Sequence, residues 1–432
     1  MATGTSLSHV FPLGSRLNER GHVEVGGCDT IELAREFGTP AYVVAEDDLR
    51  ARARAFVQAG RDTGQDDFGV VFASKAFPCT AVLSLFAEEG LWCDVASGGE
   101  LHLALNAGFA PERILMHGNA KSEAELTFAL EQGIGLIVID NFDEIDRFAR
   151  LIKASQDVLI RATPDVRGDT HEKISTGQAD SKFGFSMADV PVAIARVREV
   201  PGLELQGIHA HIGSQLLELE PFRRAASALA RIGEGVGGFS TYDLGGGLGV
   251  AYTEAQHPPE IEAWVGALIG AARNAGIGSN ARILVEPGRS LTANAGITLY
   301  TVESVKRNVS TWVALDGGMS DNMRPMLYGA TYEAHLADRL SGPGSATDSA
   351  GRPCVLAGKH CESGDVIARE VFLEDPTPGD IVLTPATGAY GFAMASNYNG
   401  VPRPPVVFCK DGDARVVVRR ETFDDLTARD VL

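Results

Sequence analysis

Between about residue 68 and residue 290, short apolar, β-rich runs alternate with longer segments of helical period, and each run stops at a polar or glycine-containing turn. Eight such runs follow one another: GVVFASK ending at Lys75, LWCDVAS with Asp94, ILMHGN, LIVIDN, VLIRAT, LQGIHAHIGS, TYDLGGG and ILVEPGR. Segments of helical period, such as 80–90 and 123–133, lie between them. Strands that are apolar at nearly every position and joined by helices belong to a parallel sheet buried on both faces, and eight of them predict a closed sheet. The expected fold is a (β/α)8 TIM barrel.

After Ala295 the texture changes to alternating runs separated by turn residues: ITLYTVESV, TWVALDGG, CVLAGKHC, DIVLTPATG, and PVVFCKDGDARVVVRRE around a hairpin-like turn at 410–413. This predicts a separate all-β domain, a C-terminal β-barrel or sandwich. The N-terminal piece, with HVEVGG before a short helix at Thr30–Phe37, is expected to join it. The predicted boundaries are therefore 41–295 for the barrel and 1–40 plus 296–432 for the β-domain.

A chain of 432 residues, 44% of them hydrophobic, is too long for one ordinary core and too apolar to be disordered. Its formal charge of −19 argues against a nucleic-acid partner, because phosphate-backbone binders carry clustered Lys and Arg. No apolar run approaches the roughly 20 residues that span a bilayer, and the first residues lack the basic start and apolar stretch of a secretory signal. A cytoplasmic protein without a membrane partner is expected. The six cysteines are scattered without a Cys-x-x-Cys pair, which suggests neither a disulfide framework nor a structural zinc site. A Gly/Ser/Ala/Pro-rich stretch, 341–351, reads as a flexible loop.

Active sites of eight-stranded α/β barrels lie at the C-terminal ends of the strands, so the polar residues closing each run are the candidates. A lysine after a strand is commonly a solvated surface residue. Lys75, however, follows Val70-Val71-Phe72-Ala73 and precedes Ala76-Phe77-Pro78, an apolar mouth that would desolvate its ammonium, lower its pKa and favour Schiff-base chemistry. Gly245, Gly246 and Gly247 could simply permit a tight turn; their functional reading is close backbone approach to an anion, and phosphate sites after the seventh and eighth strands recur in this architecture. Ser214 could add a hydroxyl to the same anion. Glu286, at the end of an apolar strand, needs a cation beside it, either a neighbouring Arg or Lys or a protonated pyridine nitrogen. His209 and His211 stand at strand period, so a metal pair is one reading and His211 stacked on a cofactor ring the other, which is preferred because the other strands close without a comparable ligand set.

With Lys75, His211, the three glycines and Glu286-Pro287-Gly288-Arg289 in place, the chain resembles the fold-type III pyridoxal-phosphate decarboxylases, which share the alanine-racemase-like barrel, and within them the diaminopimelate decarboxylase branch. The resemblance runs nearly end to end and includes the stretch from Asp316 to Tyr328, His360-Cys361-Glu362-Ser363-Gly364-Asp365 and Gly388-Ala389-Tyr390-Gly391-Phe392. It implies that pyridoxal 5'-phosphate is the cofactor, that Lys75 carries it covalently, and that Asp94 lies in the cofactor pocket. It also implies that His211 stacks on its ring, Glu286 pairs with its pyridine nitrogen, and Ser214, Gly245–Gly247, the backbone from Glu286 through Gly288 to Arg289 and the Tyr390 hydroxyl hold its phosphate. Arg289, Arg324 and Tyr328 would grip the carboxylate at the non-reacting end of the substrate, with Tyr390 nearby.

Cys361, as proton donor, and Glu362, as partner of the distal ammonium, would enter from the other subunit of a homodimer with shared active sites. The implied reaction is decarboxylation of meso-2,6-diaminopimelate to L-lysine, the last step of lysine biosynthesis. Related decarboxylases act on ornithine or arginine; two arginines at the far end suit a carboxylate, whereas a plain diamine needs acidic groups there. A stretch from Asp169 to Gly177 resembles the family's mobile loop, with Lys173 where an aromatic residue is expected. The rival from another class is a metal-dependent barrel hydrolase that uses His209 and His211 as ligands.

Overall fold

Eight parallel strands close on themselves in the computed structural model, which describes residues 7–166, 181–340 and 353–431. They are β1 (Phe68–Ala73), β2 (Trp92–Val95), β3 (Ile114–Met116), β4 (Leu136–Ile139), β5 (Gln156–Thr163), β6 (Leu203–His209), β7 (Thr241–Asp243) and β8 (Arg282–Val285). Each pairs with the next, and β8 returns to β1 through the register Ile283 to Phe68 and Val285 to Val70. All eight expected runs are strands of this barrel. Closure leaves no sheet edge exposed, and Val71, Leu115, Leu136, Val138, Leu159 and Leu284 pack as one apolar cluster. Burying each such side chain contributes roughly 1.5–3 kcal/mol. The expected mobile loop around Lys173 and the 341–351 loop lie outside the described residues.

The helices begin where the sequence offers caps. Ser97 accepts from the Glu100 N–H, Asn141 accepts from the Glu144 N–H, and Ser122 forms a reciprocal capping box with Glu125. Each cap lies a few residues past a strand end, so the turns after β2, β3 and β4 are short and pinned on both sides. Between β3 and β4 the pinning is unusually strong. Lys121 is buried, donates to the carbonyls of Gly118 and Val138, and pairs with the buried Glu144 at 2.8 Å.

This barrel unit comprises 50–249 and 258–291, and the second unit comprises 1–49, 250–257 and 292–432. The second unit is built on a nine-stranded mixed sheet whose longest strand is Gly296–Arg307. The main order runs Val366–Phe372, Pro353–Ala357, Thr311–Leu315, Gly296–Arg307, Ala41–Ala45, Val406–Lys410, Asp413–Val418. Two of its pairings are parallel, Thr311–Leu315 with Pro353–Ala357 and Ala41–Ala45 with Val406–Lys410.

One boundary differs from the sequence reading. Ala41–Ala45, expected at the barrel's start, is a strand of the nine-stranded sheet, flanked by Gly296–Arg307 and Val406–Lys410. All five of its residues are buried, which is why it has the apolar texture of a barrel strand. The N-terminal helix spans Thr30–Phe37, with Asp29 as its cap. At the turn between the last two strands Asp411 and Gly412 both have positive φ, the two-residue hairpin geometry that an Asp-Gly pair favours.

Candidate active site

The polar residues that close the barrel strands converge at one end. Three turns carry most of them, and they are pressed together at the backbone. A Cβ on Gly245 would meet the Ala210 carbonyl oxygen at 2.3 Å, one on Gly246 the Glu286 carbonyl oxygen at 2.0 Å, and one on Gly247 the Gly213 carbonyl oxygen at 2.3 Å. Gly245 and Gly247 also have φ of +68° and +115°, so two of the three need glycine on both counts. The glycine run therefore seats the turn after β7 between those after β6 and β8. Ser214 and Arg289 meet across the same junction, with the guanidinium donating to the hydroxyl at 2.9 Å. A hydroxyl, a guanidinium and closely packed turn backbone are donors suited to a phosphate.

Glu286 is the charged centre of the mouth. It is buried, and its two carboxylate oxygens face two different imidazoles, His117 Nε2 at 2.5 Å and His209 Nε2 at 3.2 Å. Burial alone pushes the Glu286 carboxyl up, but the two imidazoles more than offset it and hold it well below the usual carboxylate range. Asp243 takes the opposite course: burial, and then the neighbouring Glu286 charge, raise it well above its ordinary value, and it accepts from the Gly245 N–H at 2.9 Å. Burial lowers His209 to about 3, which leaves it a neutral imidazole that donates from Nε2. The mouth thus sets the Glu286 carboxylate beside Asp243, an acid that holds its proton more tightly than usual.

Lys75 follows β1 in a single turn and faces Asp94, at the end of β2, with 3.5 Å between Nζ and Oδ2. Its side chain is 50% exposed, so the expectation of a desolvated ammonium does not hold; a buried carboxylate sets its surroundings instead. Asp94 in turn stands 3.9 Å from His117. His211 accepts from the Gly246 N–H through Nδ1 at 3.3 Å. Its crowded position, followed by the charges of Lys75 and Arg161, keeps it well below the usual histidine range and therefore neutral. His209 and His211, considered as a metal pair, have separate partners, Glu286 for one and Gly246 for the other.

A different set, His117, His209, Asp243 and Glu286, brings four ligand-type atoms within 4.8 Å of one another. Such a set could answer to a divalent cation or to a protonated ring nitrogen. His117 escaped the sequence reading, although it closes the third run directly after Met116. Arg161, a buried cation whose guanidinium lies 4.5 Å from the Phe183 ring centre, was also not singled out, since it stands inside β5 and not at its end.

The remaining candidates belong to the second unit. Arg324 is buried, donates to the Tyr332 hydroxyl, and has the Tyr252 ring 4.7 Å from its guanidinium carbon. Tyr332 and Tyr252 were not singled out from sequence. Arg324 opens a short helix with Tyr328 at its end, and Tyr390 sits at a positive φ of 63°. Cys361 and Glu362 are exposed, on a loop that Asp365 fastens. Asp365 accepts from the Met319 N–H at 2.8 Å, from the His360 N–H at 3.0 Å, and contacts His360 Nδ1 at 2.7 Å. Cys361 is the one exposed thiol among six free cysteines.

Comparison with known proteins gives these observations a context. Residues 46–293 match the model of the pyridoxal-dependent decarboxylase family, pyridoxal binding domain. The chain is 46% identical to a diaminopimelate decarboxylase of Actinosynnema pretiosum subsp. auranticum, over 98% of this chain and 95% of that one. It is 45% identical to a diaminopimelate decarboxylase of Bacillus subtilis (strain 168), over 96% and 97%. Among solved structures, a diaminopimelate decarboxylase from M. jannaschii in complex with L-lysine superposes with a TM-score of 0.90 at 31% identity, covering 98% of both chains.

Proposed function

The chain belongs to the diaminopimelate decarboxylases, and from that membership we propose how its own residues divide the work of turning diaminopimelate into lysine and CO2. The enzyme depends on pyridoxal 5'-phosphate, which supplies an electron sink that accepts the pair released when CO2 departs. The residues present fit that group: an amine beside a carboxylate, donors grouped for a phosphate, and a buried anion for a pyridinium. The last of these is the observation that carries the assignment. A buried Glu286 held ionised costs free energy unless a cation faces it, and a protonated ring nitrogen is one.

Lys75 is the covalent anchor, and Asp94 orients its ammonium. Ser214, Gly245–Gly247, the Glu286–Gly288–Arg289 backbone and the Tyr390 hydroxyl hold the phosphate, and neutral His211 presents its ring face to the cofactor. Arg289, Arg324 and Tyr328 take the carboxylate at the substrate's non-reacting end, where a guanidinium can bind both oxygens at once. Cys361 returns a proton to the carbon that lost CO2, and Glu362 pairs with the distal ammonium. In this reading both come from the partner of a homodimer, each at the other's site; their exposure on a braced loop supports it. The D-centre of the meso isomer is the one decarboxylated.

Six free thiols suit a reducing, cytoplasmic setting. Among the described residues no helix is long and apolar enough to cross a membrane.

The deciding experiment is release of lysine and CO2 by the purified protein supplied with pyridoxal phosphate and meso-diaminopimelate, beside ornithine, arginine and lysine. Stoichiometric lysine and CO2 from the first alone, unchanged by a chelator, is the expected result. Preference for ornithine or arginine would overturn the roles given to Arg289, Arg324 and Glu362. Loss of turnover on chelation would revive the metal reading of His117, His209, Asp243 and Glu286.

A further inference from the structure

We propose that His117 and His209 are positioning residues for this reaction: together they clamp both oxygens of Glu286 and fix it as an oriented anion facing the pyridine nitrogen. The inference rests on the reading that Glu286 pairs with that nitrogen, and it adds two residues to which no role in the site has been given above.

The geometry is specific. His117 closes β3 and His209 closes β6, so the two imidazoles reach Glu286 from different strands, one to each oxygen. Their rings meet nearly edge to face, with centroids 4.6 Å apart and planes inclined at 61°. Both Nδ1 atoms are buried without a hydrogen-bond partner among the described residues. In the neutral imidazole one nitrogen carries hydrogen and the other a lone pair. With Nε2–H given to Glu286, the unpartnered Nδ1 is a bare acceptor, which is less costly to bury than an unpartnered donor. The pattern therefore assigns both rings as neutral donors.

A neutral donor does what a buried lysine or arginine could not. It satisfies the carboxylate and favours its charged form without bringing a second positive charge that would compete with the pyridinium. The other titratable groups facing the clamp are Asp94, Lys75, Arg161, Asp243 and His211. The clamp is itself rigid. The His117 N–H donates to the Val95 carbonyl at 2.8 Å, and buried Lys121 holds the next residue's carbonyl, that of Gly118.

The test is a set of variants of the full-length enzyme, assayed with saturating pyridoxal phosphate: His117→Leu, His117→Gln, His117→Asn, Glu286→Gln, and His117→Leu combined with Glu286→Gln. For each, kcat, KM for diaminopimelate, the visible absorbance of bound cofactor and the cofactor dissociation constant are measured. Loss of a partner that orients a functional ligand lowers activity by roughly 10–100-fold. His117→Leu is expected to lose kcat on that scale, with KM little changed and the cofactor spectrum altered. His117→Gln, whose amide can stand near Nε2, should recover most of the loss, whereas His117→Asn, whose amide stands near Nδ1, should not. In the Glu286→Gln background His117→Leu should add nothing, since it acts through Glu286.

Should Glu286→Gln itself keep wild-type kcat and spectrum, the pyridine-nitrogen reading fails and the clamp goes with it. A crippled Glu286→Gln on which His117→Leu imposes its full further loss leaves that reading intact and overturns the clamp alone. If the leucine variant does not fold, equal kcat and spectra for His117→Gln and His117→Asn overturn the proposal by themselves.

Discussion

In the assignment proposed above, Lys75 and Arg324 serve one reaction as two very different cations. Lys75 is half exposed and faces the buried Asp94 carboxylate, an arrangement that suits the amine proposed to carry the cofactor. Lys75→Ala is expected to fold, to lose the visible absorbance of bound cofactor, and to lose turnover; spectra and product assays on the purified variant check this. Arg324 is buried between two tyrosines, and its fork cannot be reproduced by an ammonium. Arg324→Lys should raise KM for diaminopimelate by about 10–100-fold, as expected for loss of a charge-assisted bond of ~1.5–3 kcal/mol. An unchanged KM would remove Arg324 from substrate binding. At this scale the sequence drew attention to residues standing inside long motifs, as Lys75, Glu286 and Arg324 do. His117 closes a three-residue strand as the other candidates close theirs, but nothing nearby in the chain marks it out further, because its partners Glu286 and His209 are remote.

Two loops in the second unit depend on single buried carboxylates. Asp365 joins the loop of His360 and Cys361 to the Met319 backbone, and the Cβ of a residue replacing Gly358 would lie 2.0 Å from one of its oxygens. Asp365→Asn is expected to cost about 1–3 kcal/mol of stability through lost acceptors, and to lower kcat and raise KM together, since both flanking loops loosen; denaturant melts and steady-state kinetics measure these separately.

Asp321 accepts from the Tyr300 hydroxyl at 2.6 Å and from the Gly318 N–H at 2.7 Å, three residues before Arg324. Burial pushes its carboxyl up to about 7 from an ordinary 3.8. A folded-state pKa above the unfolded one makes the folded form the stronger proton binder, so this stabilising contribution is complete below pH 4 or so and is lost as pH rises through about 7. Between about pH 5 and pH 8 the wild type should lose melting temperature relative to Asp321→Asn. Parallel curves would show that Asp321 does not titrate there. Strands were the most readable elements, because barrel strands buried on both faces are apolar throughout. Val366–Phe372 escaped notice because Arg369 and Glu370 interrupt it, with Glu370 at φ +57° and a register shift against Pro353–Ala357. Ala41–Ala45, where the barrel was expected to begin, belongs to the other unit's sheet, since an interior strand has the same apolar texture in either sheet.

For the molecule as a whole, a formal charge of −19 means that an anionic cofactor and a doubly carboxylated substrate need local donors, the part proposed above for Arg289 and Arg324. If Cys361 and Glu362 serve the partner's site, activity belongs to the pair and not to the chain. Mixing Lys75→Ala with Cys361→Ala subunits should then restore some turnover, because one of the two sites in a mixed dimer has both native residues. No recovery despite confirmed subunit exchange would count against a shared site. The sheet of the second unit also has a consequence for how the chain is made. Ala41–Ala45 leaves the ribosome early, yet its two neighbours, Gly296–Arg307 and Val406–Lys410, come roughly 250 and 360 residues later. At about 5–20 residues per second, a wholly apolar strand waits tens of seconds with both edges unmatched while the entire barrel is synthesised between it and its partners. The nascent enzyme is thus most vulnerable at its first interior strand, and a chaperone that shields residues 41–45 during synthesis would do more for its yield than one acting on the finished barrel.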